Sequence, residues 1–195
     1  MPKKTRLPAV LILLATVLAV VLIWLLKPTP VAPPTESLLA NQPAPEFSLT
    51  DLHGVRRSLQ DFRGKLVLLN FWATWCPPCV VEMSSLERLS QIYRAQGLEV
   101  VAISADKVEN DSAVSDFVES RGISFTVLRD PNLQAVKAYG LTGFPETFFI
   151  DAEGRLMEVV EPGKSELETR LISDRAWDSR SYLQFIGELV AKGKK

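Results

Sequence analysis

Cys76 and Cys79 are the only cysteines in the 195 residues, and they sit in the segment Phe71-Trp72-Ala73-Thr74-Trp75-Cys76-Pro77-Pro78-Cys79. Two thiols at that spacing can close into a disulfide and reopen, exchanging two electrons with another thiol pair. Before them runs Leu66–Phe71 (LVLLNF), a short apolar stretch that suits a strand buried on both faces. After them Met83, Leu86, Leu89, Ile92 and Tyr93 recur at three- and four-residue spacing, which predicts an amphipathic helix ending near Gly97. Cys76 therefore stands at a helix N-terminus, where unpaired N–H groups and the macrodipole favour an anion and hold a thiolate pKa below its usual value of about 8.5. Pro77 and Pro78 are tolerated in the first helical turn and stiffen the loop between the sulfurs. Cys79 lies one turn inward and less exposed, so Cys76 is expected to attack a substrate disulfide and Cys79 to resolve the mixed disulfide.

Other chemistries fit these residues less well. A zinc site needs two further ligands, and the chain has one histidine, His53, and no third cysteine. Covalent haem attachment needs histidine after the second cysteine, where Val80 stands. A purely structural disulfide is the plainer alternative. However, a domain of roughly 150 residues can bury a core without a staple, so the pair reads as a working one. His53 reads as decoration of an exposed turn.

The elements around the pair alternate strand and helix. Phe47–Leu49 and Val55–Leu59 flank a turn at Asp51–Gly54, and Leu98–Ser104 is a second buried strand. Val114, Phe117 and Val118 mark a helix ending at Gly122. Phe125–Leu128 is a short strand and Leu133–Tyr139 a short helix. Thr147–Ile150 and Leu156–Val160 predict an antiparallel hairpin around Asp151–Gly154, followed by a last helix over Ser179–Ala191. Asp106–Ser112 reads as an exposed polar loop. The expected class is α/β, with a mixed central sheet and helices on both faces.

From Leu7 to Leu26 runs an uncharged apolar stretch after Lys3, Lys4 and Arg6. As a helix it would reach about 30 Å, enough for one transmembrane span with the N-terminus inside. A cleaved signal peptide is the competing reading, but the run is long and lacks an A-x-A site. The expected organisation is a cytoplasmic basic tail over 1–6, a transmembrane anchor over 7–26, a proline-rich linker over 27–42 and a catalytic domain over 43–195. Lys27–Pro45 holds six of the thirteen prolines, an extended spacer. Setting aside the three basic residues of the tail, of 22 in all, leaves 19 against 23 acidic. That exported part is mildly acidic and offers nucleic acid no basic footprint.

WATWCPPC after LVLLNF, with APEFSLTDLHG before and GFPETFFID later, resembles the membrane-anchored thioredoxin-like thiol–disulfide oxidoreductases of bacteria, the TlpA, ResA and CcmG group. The likeness spans Pro43 to Val160. The segment holding Trp177-Asp178-Ser179 is similar only loosely. The resemblance implies a thioredoxin-like fold with an N-terminal hairpin and a central αβ insertion within Gly97–Gly122. It makes Pro145 the cis-proline facing the cysteines, consistent with the tolerance of X–Pro bonds for cis. The backbone beside Phe144 would then be free to pair with an extended substrate strand. Trp75 would form an apolar rim that touches substrate, while Trp72 would be core. Glu146 departs from the threonine common after this proline. Asn70 stands where cytoplasmic thioredoxins carry a buried aspartate, and an amide cannot accept a proton. Glu82, three residues past Cys79, matches a glutamate that such proteins use near the active site, so it is expected to handle the proton of Cys79. The competing reading makes Glu82 a surface helix residue.

The resemblance further implies a reductant of exported protein disulfides, in the periplasm or its equivalent, with a role in cytochrome c maturation. It would use no cofactor or metal beyond the Cys76–Cys79 disulfide, and a thiol donor in the cytoplasmic membrane would re-reduce it. The alternatives are a disulfide oxidase or isomerase, a copper-delivery module and a non-catalytic adaptor. Copper chaperones add a histidine after the cysteines, whereas His53 precedes them. A thiol peroxidase would carry Pro and Thr where Leu69 and Ala73 stand.

Overall fold

The computed structural model describes residues 40–193, together with Ala15 and Val17. The chain divides into two units, Met1–Pro33 and Pro34–Lys195. The predicted tail over 1–6 and most of the predicted anchor and linker lie outside the described residues. Of the anchor only Ala15 and Val17 are described, both helical and exposed. Among the described residues no helix is long and apolar enough to cross a membrane.

The second unit is built on a seven-stranded mixed sheet in the order β2 (Arg56–Ser58), β1 (Ser48–Asp51), β5 (Thr126–Arg129), β4 (Leu98–Ser104), β3 (Leu66–Trp72), β6 (Glu146–Ile150), β9 (Arg170–Ile172). Its centre is β3 (Leu66–Trp72), paired in parallel with β4 (Leu98–Ser104) and antiparallel with β6 (Glu146–Ile150). The run LVLLNFW is buried at every position because it alternates between two packed faces. Leu66, Leu68 and Trp72 meet helix α1 (Pro77–Tyr93) through Met83, Leu86 and Leu89. Val67, Leu69 and Phe71 meet the opposite cluster, with Ala135 of α3 (Gln134–Ala138) and the neighbouring Tyr139. The same alternation points Asn70 at α1.

α1 passes into a 3-10 turn over Arg94–Gln96, and Gly97, at φ 107°, reverses the chain into β4. The expected hairpin is β1 (Ser48–Asp51) with β2 (Arg56–Ser58), joined to the sheet where β1 pairs antiparallel with β5 (Thr126–Arg129). The central insertion carries α2 (Asp111–Ser120) before β5.

Two expectations change. Leu156 bridges Ile150, as the turn at Asp151–Gly154 implied, but the predicted hairpin goes no further. Instead β7 (Val159–Val160) pairs with β8 (Leu167–Glu168), and the edge partner of β6 is β9 (Arg170–Ile172), at Glu146↔Ile172 through Phe148↔Arg170. Asp106–Ser112 is not uniformly exposed. Asp106 is buried, Val108–Asn110 forms a 3-10 turn, and α2 has already begun at Asp111. The chain closes with α4 (Arg180–Lys192), which adds Ile186, Leu189 and Val190 to the α1 side of the core.

Candidate active site

The site forms where β3 ends and α1 begins. Between them the chain makes a tight turn, with Cys76 N donating to Ala73 O at 3.2 Å. The buried carboxylate of Asp106 holds this turn, accepting from Thr74 N (2.9 Å), Thr74 Oγ1 (2.6 Å) and Ser104 Oγ (2.8 Å). It can do so because Ser104 ends β4 directly beside Trp72. Sequence reading gave Asp106 no role.

Cys76 is the N-cap of α1, in extended conformation, with prolines in the first turn. Its Sγ accepts from Cys79 N at 3.3 Å, so the sulfur takes one of the free N–H groups of the helix start. Cys76 and Cys79 are joined as a disulfide. Cys79 is fully buried and Cys76 is 4% exposed. Pro77 is exposed and Pro78 half-buried.

Phe144 packs against the core cluster that contains both cysteines, and the Phe144–Pro145 peptide is cis. Trp75, 59% exposed, meets the Phe144 ring edge-on at 5.7 Å between centroids. Trp72 is core, as expected. The loop before Pro145 is shaped by Glu146, a buried carboxylate that accepts from Thr142 N (2.8 Å), Thr142 Oγ1 (2.7 Å) and Gly143 N (3.0 Å). Its second oxygen faces Arg170 Nη1 of β9 at 3.4 Å. Among the described residues no other backbone group takes the N–H or C=O of Phe144.

Glu82 lies one turn beyond Cys79 on α1 and is 1% exposed, so the surface-residue reading does not hold. Oε1 accepts from Asn70 Nδ2 at 2.7 Å; Oε2 accepts from Trp177 Nε1 at 3.0 Å and Arg175 N at 3.2 Å. Asn70 Nδ2 also reaches Thr147 Oγ1 at 3.1 Å, and its Oδ1 has no partner. Burial pushes the Glu82 carboxyl up to about 7, against the pull of these three donors and the Arg175 charge. Sequence reading reached Asn70 and Glu82 but not Trp177 or Arg175. The available signal was an isolated tryptophan in an otherwise charged stretch. His53 is exposed in the β1–β2 turn, where its N–H donates to Asp51 Oδ1 at 2.9 Å.

A mixed sheet with a dithiol at the head of its first long helix, opposite a cis-proline loop, defines a thioredoxin-like redox domain. The AhpC/TSA family model matches residues 40–159. The thiol-disulfide oxidoreductase ResA of Bacillus thuringiensis subsp. konkukian (strain 97-27) is 39% identical over 138 residues, covering 70% of this chain and 79% of that protein. The protein of the same name from Geobacillus kaustophilus (strain HTA426) is 41% identical over 117 residues, 60% of this chain and 66% of that one. Among solved structures, a Chlorobium tepidum chain described as a thiol:disulfide interchange protein DsbE superposes with a TM-score of 0.66 at 30% identity, covering 79% of this chain and 99% of that chain. The chain belongs to the AhpC/TSA family, and it is a thiol–disulfide oxidoreductase.

Proposed function

We propose that this oxidoreductase is a membrane-anchored reductant of disulfides in exported proteins. In the proposed cycle the reduced protein attacks through the Cys76 thiolate. The substrate S–S bond breaks, a Cys76–substrate disulfide forms, and one substrate sulfur leaves as a thiolate that takes up a proton. Cys79 then gives its proton to Glu82 and attacks Cys76 Sγ. The second substrate thiolate leaves, the substrate has gained two electrons, and the Cys76–Cys79 disulfide is closed. A membrane thiol donor reopens it. An extended substrate segment would lie along the free backbone of Phe144, beside Pro145, against the rim formed by Trp75, Pro77 and Pro78.

The observation that carries this reading is the buried Glu82 one helical turn beyond Cys79. The helix dipole falls off within the first turn, so it favours the Cys76 thiolate and leaves Cys79 needing a base of its own. The direction of transfer, the location outside the cytoplasm and the cytochrome c client are the expectations of the TlpA, ResA and CcmG resemblance. The uncharged run Leu7–Leu26 behind Lys3, Lys4 and Arg6 supports the anchor. Holding donor and client on one surface raises their effective concentration.

The test is the reduction potential of the Cys76–Cys79 pair, measured by equilibration with glutathione. A value toward about −270 mV, as in thioredoxin, supports a reductant; one toward about −120 mV, as in a strong periplasmic oxidant, replaces it with a disulfide oxidase.

A further inference from the structure

Beyond β6 the chain finishes the fold with an edge strand, a loop and a last helix. The loop, however, is docked on the redox helix. Trp177 N donates to Ser85 Oγ at 3.2 Å, and that hydroxyl lies 2.7 Å from Glu82 O and 3.2 Å from Arg175 O. Trp177 itself is fully buried, edge-on to Phe149 of β6 at 6.4 Å and to Tyr182 of α4 at 5.3 Å. Two of the three hydrogen bonds to the Glu82 carboxylate come from this loop, and both fall on Oε2.

The loop is held in place independently of Glu82. The Arg175 guanidinium grips the Glu161 carboxylate through Nε (2.5 Å) and Nη2 (2.9 Å), and Tyr182 OH donates to the same carboxylate. Arg175 Nη1 caps the carbonyls of Ile172 and Ser173 at the end of β9. A buried bidentate pair of this kind fixes geometry more firmly than a single contact does. The guanidinium itself is paired with Glu161, so what Glu82 receives at contact distance from this side is two N–H groups, with the Arg175 charge acting from farther off.

We propose that Trp177 is a positioning residue of the redox site: its indole N–H fixes the Glu82 carboxylate and sets how readily it takes a proton. The inference rests on the proposed role of Glu82 only for its effect on Cys79. The groups that face the Glu82 carboxylate are Asn70 from β3 and Arg175 and Trp177 from the loop; along α1 itself, Cys79 lies one turn before it and Ser85 Oγ meets its backbone carbonyl. Of the hydrogen-bonding groups that contact the carboxylate, Asn70 Nδ2, Trp177 Nε1 and Arg175 N, all donate only. They favour the ionised form, and removal of any one raises the affinity for a proton. A hydrogen bond to a charged group has a strength equivalent to about one to two pH units in the midpoint of its acceptor.

The experiment uses the full chain with its disulfide closed, so that no thiol titrates. Glutamate carboxyl carbons are labelled with 13C, and the Glu82 signal is identified by its loss in E82Q. In W177F the Glu82 midpoint should rise by about one to two pH units. Benzothienylalanine at position 177, which keeps the shape and replaces N–H by sulfur, should give the same rise and carries the test if W177F does not fold. F185L disturbs the same aromatic cluster, where Phe185 lies 5.7 Å from Phe149, without removing a donor. It should leave the midpoint where it is. An unchanged midpoint in the benzothienylalanine protein, or an equal rise in F185L, overturns the inference. The second readout is the pH dependence of single-turnover release of a peptide thiol from its mixed disulfide with Cys76. It should move upward with the Glu82 midpoint. If the midpoint rises and the release profile stays still, Trp177 holds Glu82 as inferred and the proton-handling role of Glu82 is what fails.

Discussion

Replacing Glu82 by glutamine isolates the energetic consequence of its burial. The carboxyl has an ordinary value of 4.5 and is raised to about 7 in the folded protein, burial being the main cause. Between those two values the folded chain binds more protons than the unfolded one, so stability falls as pH rises through that window and levels off above it. Integrated from pH 5 to pH 8, this single group removes about 2.5 kcal/mol. Asp51, Glu87 and Glu161 go the other way. Hydrogen bonds outweigh burial and hold each below the ordinary carboxylate range, so their contributions are already complete at pH 5. Glutamine fits the site with little rearrangement: its oxygen can accept from Trp177 and Arg175, and its amide can donate to Asn70 once that side chain turns its unpartnered Oδ1 inward. Urea unfolding of the oxidised proteins at pH 5 and pH 8 measures the effect. Wild type should lose about 2.5 kcal/mol more than E82Q on going to the higher pH. If both lose the same amount, Glu82 does not titrate near neutrality and the argument for it as a base for Cys79 falls.

Two further outcomes concern the buried carboxylates Glu146 and Glu161. E146A removes the acceptor of Thr142 N, Thr142 Oγ1 and Gly143 N and the carboxylate facing Arg170, which keeps its bond to Gly140 O. Two N–H groups and a hydroxyl lose their acceptor, so the change should cost about 2–3 kcal/mol in urea unfolding and lower kcat/KM toward protein disulfides, with E146Q intermediate in both. Burial pushes the Glu161 carboxyl up, but hydrogen bonds from Arg175, Tyr182 and Lys164 outweigh it and hold the group at about 2. Its stabilisation is therefore present above about pH 4.5 and lost as pH falls toward 2; E161Q should show no such loss when acid unfolding is followed by circular dichroism.

The redox helix was legible because its signals are local and strong. An apolar run, a Pro-Pro pair and a three/four-residue repeat fix the strand, the turn and the helix in succession, and the cysteines fall at the joint. The alternation of LVLLNF also held the position of Asn70, since Leu68 and Trp72 on either side of it face α1. What escaped was non-local. β8 and β9 are two and three residues long, too short to show a period, and their sequence Leu167-Glu168-Thr169-Arg170-Leu171-Ile172 carries charges that suit an exposed turn equally well. Thr147–Ile150 found its edge partner at Arg170–Ile172 rather than in the nearer Leu156–Val160, a pairing set by the sheet and not by either segment. Asp106 opens a polar stretch, which predicts exposure. Its burial comes with Thr74, which only the β3–β4 register brings to it, while Ser104 is its near neighbour in sequence.

The same non-local loop decides whether a buried glutamate can work at this site. Burial alone would drive a carboxyl above neutrality and keep it protonated, a poor base at pH 7; full solvation would leave it near 4.5, a weak one. Asn70, Trp177 and the Arg175 amide, each able only to donate to the carboxylate, pull against burial and bring it to about 7. Asn70 belongs to the central strand and is fixed by the fold's first half. The other two donors arrive from a loop pinned by the Arg175–Glu161 pair, so a chain truncated after β6 would keep the dithiol and its helix but lose two of the three donors to that carboxylate. In the proposed cycle, attack by Cys76 needs only the helix start, whereas resolution by Cys79 needs the whole unit.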